Sequence, residues 1–138
     1  MDNSKFTFKK KEKLCSRKVI SHLFENGNSF YSEPFRVQWL RCDDKLPFPV
    51  LTAISVGKKS FPEAVSRNRI KRLIREVWRL NKQHLYLHLK QMNLQLYIMI
   101  IYSGKKIPEY NELDRQMRKL VESFSAHLKT VIQNNYSS

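Results

Sequence analysis

The chain has 138 residues, 26 of them Lys or Arg and 12 Asp or Glu, for a formal net charge of +14. Hydrophobic residues make up 41 %, enough for one folded domain with a single core, which excludes a disordered basic tail. No apolar run approaches the ~18 residues that span a bilayer, and the amino end lacks the apolar core of a signal peptide. The expected compartment is therefore the cytoplasm, and the expected partner of so basic a domain is nucleic acid.

In chain order, residues 1–13 interleave Lys5, Lys9, Lys10, Lys11 and Lys13 with Phe6 and Phe8, which predicts a basic, mobile arm. Ser16 suits an N-cap, Val19, Ile20, Leu23 and Phe24 recur at helical spacing, and Gly27 stops the turn, so a first helix is expected over 16–26. A short strand is expected at 28–32. After Pro34 the alternation of Phe35, Val37 and Trp39 predicts a second strand. Asp43, Asp44, Pro47 and Pro49 mark a connection to a β-branched third strand, 50–56, which is expected to pair antiparallel with the second. The loop from Gly57 to Pro62 carries Lys58 and Lys59 into the next helix.

That helix, predicted over 66–82, dominates the sequence. Ile70, Leu73, Ile74 and Val77 fall at i, i+3, i+4 and i+7, one side of a helix. At about 100° per residue, Lys71, Lys82, Arg75, Asn68, Arg79 and Arg72 fall on the opposite arc. Cations at 67, 69, 71, 72, 75, 79 and 82 face a single acid, Glu76. Such crowding costs ~0.3–1 kcal/mol per badly placed charge, which an external polyanion relieves. Residues 84–92 look looser. Leu94 to Tyr102 reads as a buried strand, parallel to the third because a helix joins them. Leu113, Met117, Leu120, Val121, Phe124 and Leu128 predict a last helix over 109–130, with a polar tail at 133–138. The folded domain is thus expected over 14–132.

Nothing in the chain suggests that the protein cleaves by itself. The adjacent Asp43 and Asp44 fit a turn better than a two-metal site. His84 and His88 lie at i, i+4, but Leu85 stands where a zinc-protease motif has its glutamate. Cys15 and Cys42 match no zinc spacing and are expected to be reduced thiols. No catalytic or metal-binding residue is predicted.

The run Arg67-Asn68-Arg69-Ile70-Lys71-Arg72-Leu73-Ile74-Arg75-Glu76 resembles the RNR signature of the bacterial ribonuclease P protein family. The approach Ser55-Val56-Gly57-Lys58-Lys59 resembles the family's strand and loop before that helix. Phe61-Pro62-Glu63 departs from the family's Gly-Asn, with one residue more. The resemblance covers about 14–128. It implies an α+β fold, an α/β sandwich with a central mixed sheet and a left-handed βαβ crossover, like the second domain of ribosomal protein S5. It further implies a subunit of an RNA-catalysed endoribonuclease that removes the 5′ leader of precursor tRNA, with Mg²⁺ bound mainly by the RNA subunit and one protein per RNA.

On that resemblance, Arg67, Asn68, Arg69, Lys71, Arg72, Arg75 and Arg79, with Lys58 and Lys59, are expected to contact RNA. Ile20, Phe24 and Gln38, with Phe35 or Trp39 on neighbouring strand faces, are expected to line a cleft for the leader. The family's usual aromatics at two of these places are Ile20 and Gln38 here, so stacking is expected to be weaker. The alternative is another structural RNA-binding protein, ribosomal-protein-like, with no role in cleavage. A helix-turn-helix reader is disfavoured because strands flank the basic helix.

Overall fold

The computed structural model describes residues 8–136, with side chains described as far as Ile132. Helix α1 (Arg17–Asn26) leads into strands β1 (Asn28–Ser32), β2 (Phe35–Arg41) and β3 (Val50–Val56). Helix α2 (Ala64–Gln91), strand β4 (Leu96–Tyr102) and helix α3 (Tyr110–Tyr136) complete the chain. One sheet results, in the order β1-β2-β4-β3. Strand β4 pairs antiparallel with β2 (Val37 opposite Ile100) and parallel with β3 (Ile54 opposite Ile100), so the sheet is mixed and the parallel βαβ unit is as expected.

The expected pairing of β2 with β3 is not formed. Strand β4 lies between them, satisfying both edges with its own backbone. Its run Leu96 to Tyr102 is apolar on both faces, which suits the centre of a sheet covered by helices on each side.

The alternation along each strand sorts the side chains into two layers. Phe35, Val37 and Trp39 of β2, with Leu96, Ile98 and Ile100 of β4, pack beneath α2 and α3 in the main core. On the opposite face Leu23, Val19 and Ile20 of α1 form a second apolar cluster with Leu40, Tyr97, Met99 and Ile101 of the sheet, in which Leu23 and Met99 are fully buried. Each fully buried large side chain contributes about 1.5–3 kcal/mol.

Helix α1 starts where expected, with the Ser16 hydroxyl accepting from the Val19 amide at 3.3 Å. Gly27 ends it with φ −70°, so no left-handed conformation is needed. Its requirement is spatial instead: a Cβ there would lie 2.4 Å from the Leu23 carbonyl oxygen.

Helix α2 continues nine residues past Lys82, through the stretch expected to be loose. Leu85, Tyr86 and Leu89 extend the buried stripe of Val77 and Trp78, and the exposed Leu80 and Leu87 blur that stripe in sequence. Helix α3 likewise runs to Tyr136, across the start of the expected tail.

Part of the expected arm is fixed to the domain. Lys10–Glu12 form a 3-10 turn, Lys13 bridges Thr52 in parallel, and the Leu14 amide donates to the Thr52 carbonyl at 2.9 Å. The strap covers the outer edge of β3. Residues 1–7 of the expected arm, and 137–138 of the tail, lie outside the described residues.

Candidate nucleic-acid interface

Helix α2 carries the cations that the sequence singles out. Its buried stripe of Ile70, Ile74 and Val77 holds the helix on the sheet and turns Asn68, Arg69, Arg72 and Arg75 outward into solvent. Lys58 and Lys59, in the turn after β3, are also exposed. Lys71 is half-buried, at the seam between α2 and the α1 side of the sheet. These seven residues form the open part of the surface, and the six cations among them can meet phosphates as forked or point charges, with Asn68 a neutral amide between them.

Two of the predicted contacts are committed within the protein. The Arg67 guanidinium donates through one nitrogen to the carbonyls of Phe61 and Pro62, both at 2.8 Å. It therefore closes the loop whose sequence departs from the family pattern. Arg79 forms a two-pronged pair with Glu76, at 2.6 and 3.1 Å. That pair holds the Glu76 carboxyl below the usual carboxylate range, chiefly through the hydrogen bonds from Arg79 and against the opposing effect of burial.

Lys82, on the predicted cationic arc, is 1 % exposed and ion-paired with Glu12. Burial lowers its pKa, while the Glu12 carboxylate favours its charged form. The Tyr86 hydroxyl donates to the same carboxylate at 2.8 Å, and burial with that neighbouring anion pushes its pKa up. This cation belongs to the interior.

The expected leader cleft is reorganised. Phe35 and Trp39 do not line it: their strand phase places them on the other face of the sheet, buried against Tyr102 and Phe124 respectively. Gln38 has the right phase, but it is only 2 % exposed. Its amide nitrogen donates to the Leu23 carbonyl of α1 at 3.1 Å, and its oxygen accepts from the Ser29 hydroxyl. It pins α1 to the sheet. Phe24 is 50 % exposed and free to offer a ring face, and Ile20 is half-buried.

An open hollow of about 310 Å³ does run beside Ile20, between α1, β3 and α2. Lys71 and Arg75 enter it from α2, while Phe8 and Lys13 enter from the strap. The sequence signal for the last two was the alternation of Lys and Phe in the arm. A second hollow of about 570 Å³ lies on the other side of α1, beside Leu40, Arg41 and Tyr97. Among the described residues, no three His, Cys, Asp or Glu side chains come together as a metal site. His84 and His88 stack edge to face, with ring centres 4.6 Å apart.

Comparison with known proteins points the same way. A family model described as Ribonuclease P matches residues 8–125. The ribonuclease P protein component of Porphyromonas gingivalis (strain W83) is 34 % identical over 115 residues, 83 % of each chain. That of Chlorobium phaeobacteroides is 30 % identical over 127 residues, covering 85 % of this chain and 87 % of its own. In fold, the chain is similar to the Staphylococcus aureus RNase P protein, with a TM-score of 0.61 at 24 % identity, covering 80 % of this chain and 93 % of that one. The Thermotoga maritima RNase P protein gives a TM-score of 0.63 at 22 % identity, covering 80 % of this chain and 96 % of that one.

Proposed function

The chain belongs to the ribonuclease P protein family, and on that premise we propose that it is the protein subunit of a ribonucleoprotein that cleaves the 5′ leader from precursor tRNA. The observation that carries this reading is the exposed face from Lys58 to Arg75, which meets the Ile20 hollow along Lys71 and Arg75. One surface is dense in phosphate-binding cations. The other offers apolar side chains, Phe8, Ile20 and Ile54 among them, and Phe24 stands exposed on the same helix as Ile20, where its ring could meet an unstacked base.

In this reading the protein contributes affinity and placement. Arg69, Arg72 and Arg75 neutralise phosphates of the catalytic RNA, in one copy per RNA, and Asn68 adds a neutral hydrogen-bonding group among them. Mg²⁺ is held mainly by the RNA, where it supplies the activated water and stabilises the leaving oxygen. The leader extends past Lys71 and Phe24, so that precursor binds more tightly than mature tRNA.

Reconstitution tests the proposal. RNA-free protein is expected to cleave nothing. Added to a catalytic RNA subunit with precursor tRNA at low Mg²⁺, it is expected to raise cleavage above that of RNA alone. Cleavage by the protein alone, or no stimulation of the RNA, would overturn the proposal. The latter result would favour a structural RNA-binding protein without a role in processing.

A further inference from the structure

We propose that Glu12 is a positioning residue for RNA binding, holding the Lys9–Lys13 strap against the domain so that its lysines extend the basic surface of α2. The proposal rests on the RNA-binding reading above. Glu12 is an acid in the middle of a run of lysines, yet it is 2 % exposed while Lys9, Lys10, Lys11 and Lys13 around it stand in solvent. Its carboxylate accepts from Lys82, from the Tyr86 hydroxyl at 2.8 Å and from the Lys9 backbone amide at 2.6 Å. The first two contacts tie the strap to α2 across seventy or more residues of sequence, and the third closes the strap's own turn. The Lys13–Thr52 bridge and the Leu14–Thr52 hydrogen bond fix the next two residues on the edge of β3.

The consequence is a placement of charge. Lys13 enters the same hollow as Lys71 and Arg75, although the strap and α2 are far apart in sequence. A free arm would spread its four cations over a large volume. A fastened one presents them at fixed positions beside the helix, so that their phosphate contacts carry less ordering cost. The buried ion pair is a poor source of stability, since an apolar pair of similar volume often serves as well. Its effect here is to fix where the strap lies.

Electrostatics give the test a sign. Glu12→Gln removes a negative charge, so charge alone predicts tighter RNA binding. Release of the strap predicts weaker binding. In salt titrations with a ribonuclease P RNA, Glu12→Gln is expected to bind roughly tenfold more weakly at moderate salt, with a slope of log K against log[salt] shallower by about one to two units. The strap amides should exchange faster while the α2 and β4 amides keep their protection. Glu12→Leu with Lys82→Met, which leaves the net charge unchanged and refills the site with apolar groups, is expected to restore affinity. Lys10→Ala, Lys11→Ala and Lys13→Ala together should weaken binding similarly, and Glu12→Gln should then add little. Unchanged slope in the triple-lysine variant would overturn the proposal, as would tighter binding by Glu12→Gln or full additivity of the two sets. Arg72→Ala in the same assay separates this outcome from failure of the RNA-binding reading, which would leave that variant unchanged as well.

Discussion

The guanidinium of Arg67 reaches back over the loop that precedes its own helix and holds the Phe61 carbonyl at 2.8 Å. Phe61 is itself in the core, its ring 6.1 Å from that of Tyr102. The first cation of the basic run thus braces the turn that aims the others. Arg67→Ala is expected to lower stability by about 1–2 kcal/mol, the value of a hydrogen-bonded cation that is partly exposed. Arg72→Ala, on open surface, should leave melting within about 0.5 kcal/mol of the parent. Urea unfolding of the two variants checks the contrast. Equal midpoints would mean that Arg67 has no structural part.

Glu76 and Arg79 give a prediction of opposite sign. Because Arg79 is held by its neighbour, Glu76→Gln is expected to release it and steepen the salt dependence of RNA binding by up to about one unit. Arg79→Ala should weaken binding less than Arg72→Ala. The depressed pKa of Glu76 also gives a pH dependence. A lowered carboxyl contributes stability above its unfolded pKa and loses it as pH falls through the folded value. RNA affinity at pH 7 should therefore respond to Glu76→Gln, and the difference should shrink below the ordinary carboxylate range. Filter binding at several pH values measures it.

Phe24 is the residue on which the leader reading turns. Half of it is in solvent, so Phe24→Ala is expected to change melting little, far less than the ~3–5 kcal/mol of a core phenylalanine. If a leader base stacks there, precursor tRNA should lose about 1–3 kcal/mol of affinity. Mature tRNA should lose almost none. Equal losses for both would reject the assignment.

Gln38 and Gly27 act through the Leu23 carbonyl, which accepts from both the Gln38 side chain and the Gly27 amide, at 3.1 and 2.9 Å. Gln38→Ala is expected to cost about 1–3 kcal/mol by leaving that buried contact unmade. Gly27→Ala should be damaging for a different reason, since its Cβ would meet the same oxygen at 2.4 Å and backbone cannot easily give way. Both variants should raise amide exchange in α1 before that in α2.

Much of this arrangement was legible in sequence wherever one period governed a segment. Helix α1, the third strand and the apolar positions of α3 fall where their spacing puts them, because each buries one stripe or face. The neighbours of β2 were not legible, since its alternation of Phe35, Val37 and Trp39 does not state which strand lies beside it. The same alternation does fix that Phe35 and Trp39 share a face opposite Gln38, so grouping all three in one cleft conflicted with strand geometry. The second half of α2 was obscured by a polar residue that is buried, Lys82, and apolar ones that are exposed, Leu80 and Leu87. Burial of Lys82 depends on Glu12, and no local pattern links the two. The hand of the crossover has no signature in hydrophobic periodicity, which is the same for either hand.

The sheet order carries a consequence for synthesis. Among the described strands β4 alone pairs with β3, separating it from β2, yet it begins at Leu96, after the whole of the basic helix. During synthesis from the amino end, α2 emerges before the strand that completes its platform. The apolar stripe of α2 therefore waits for a full sheet to cover it, and closure depends on contacts of long sequence separation.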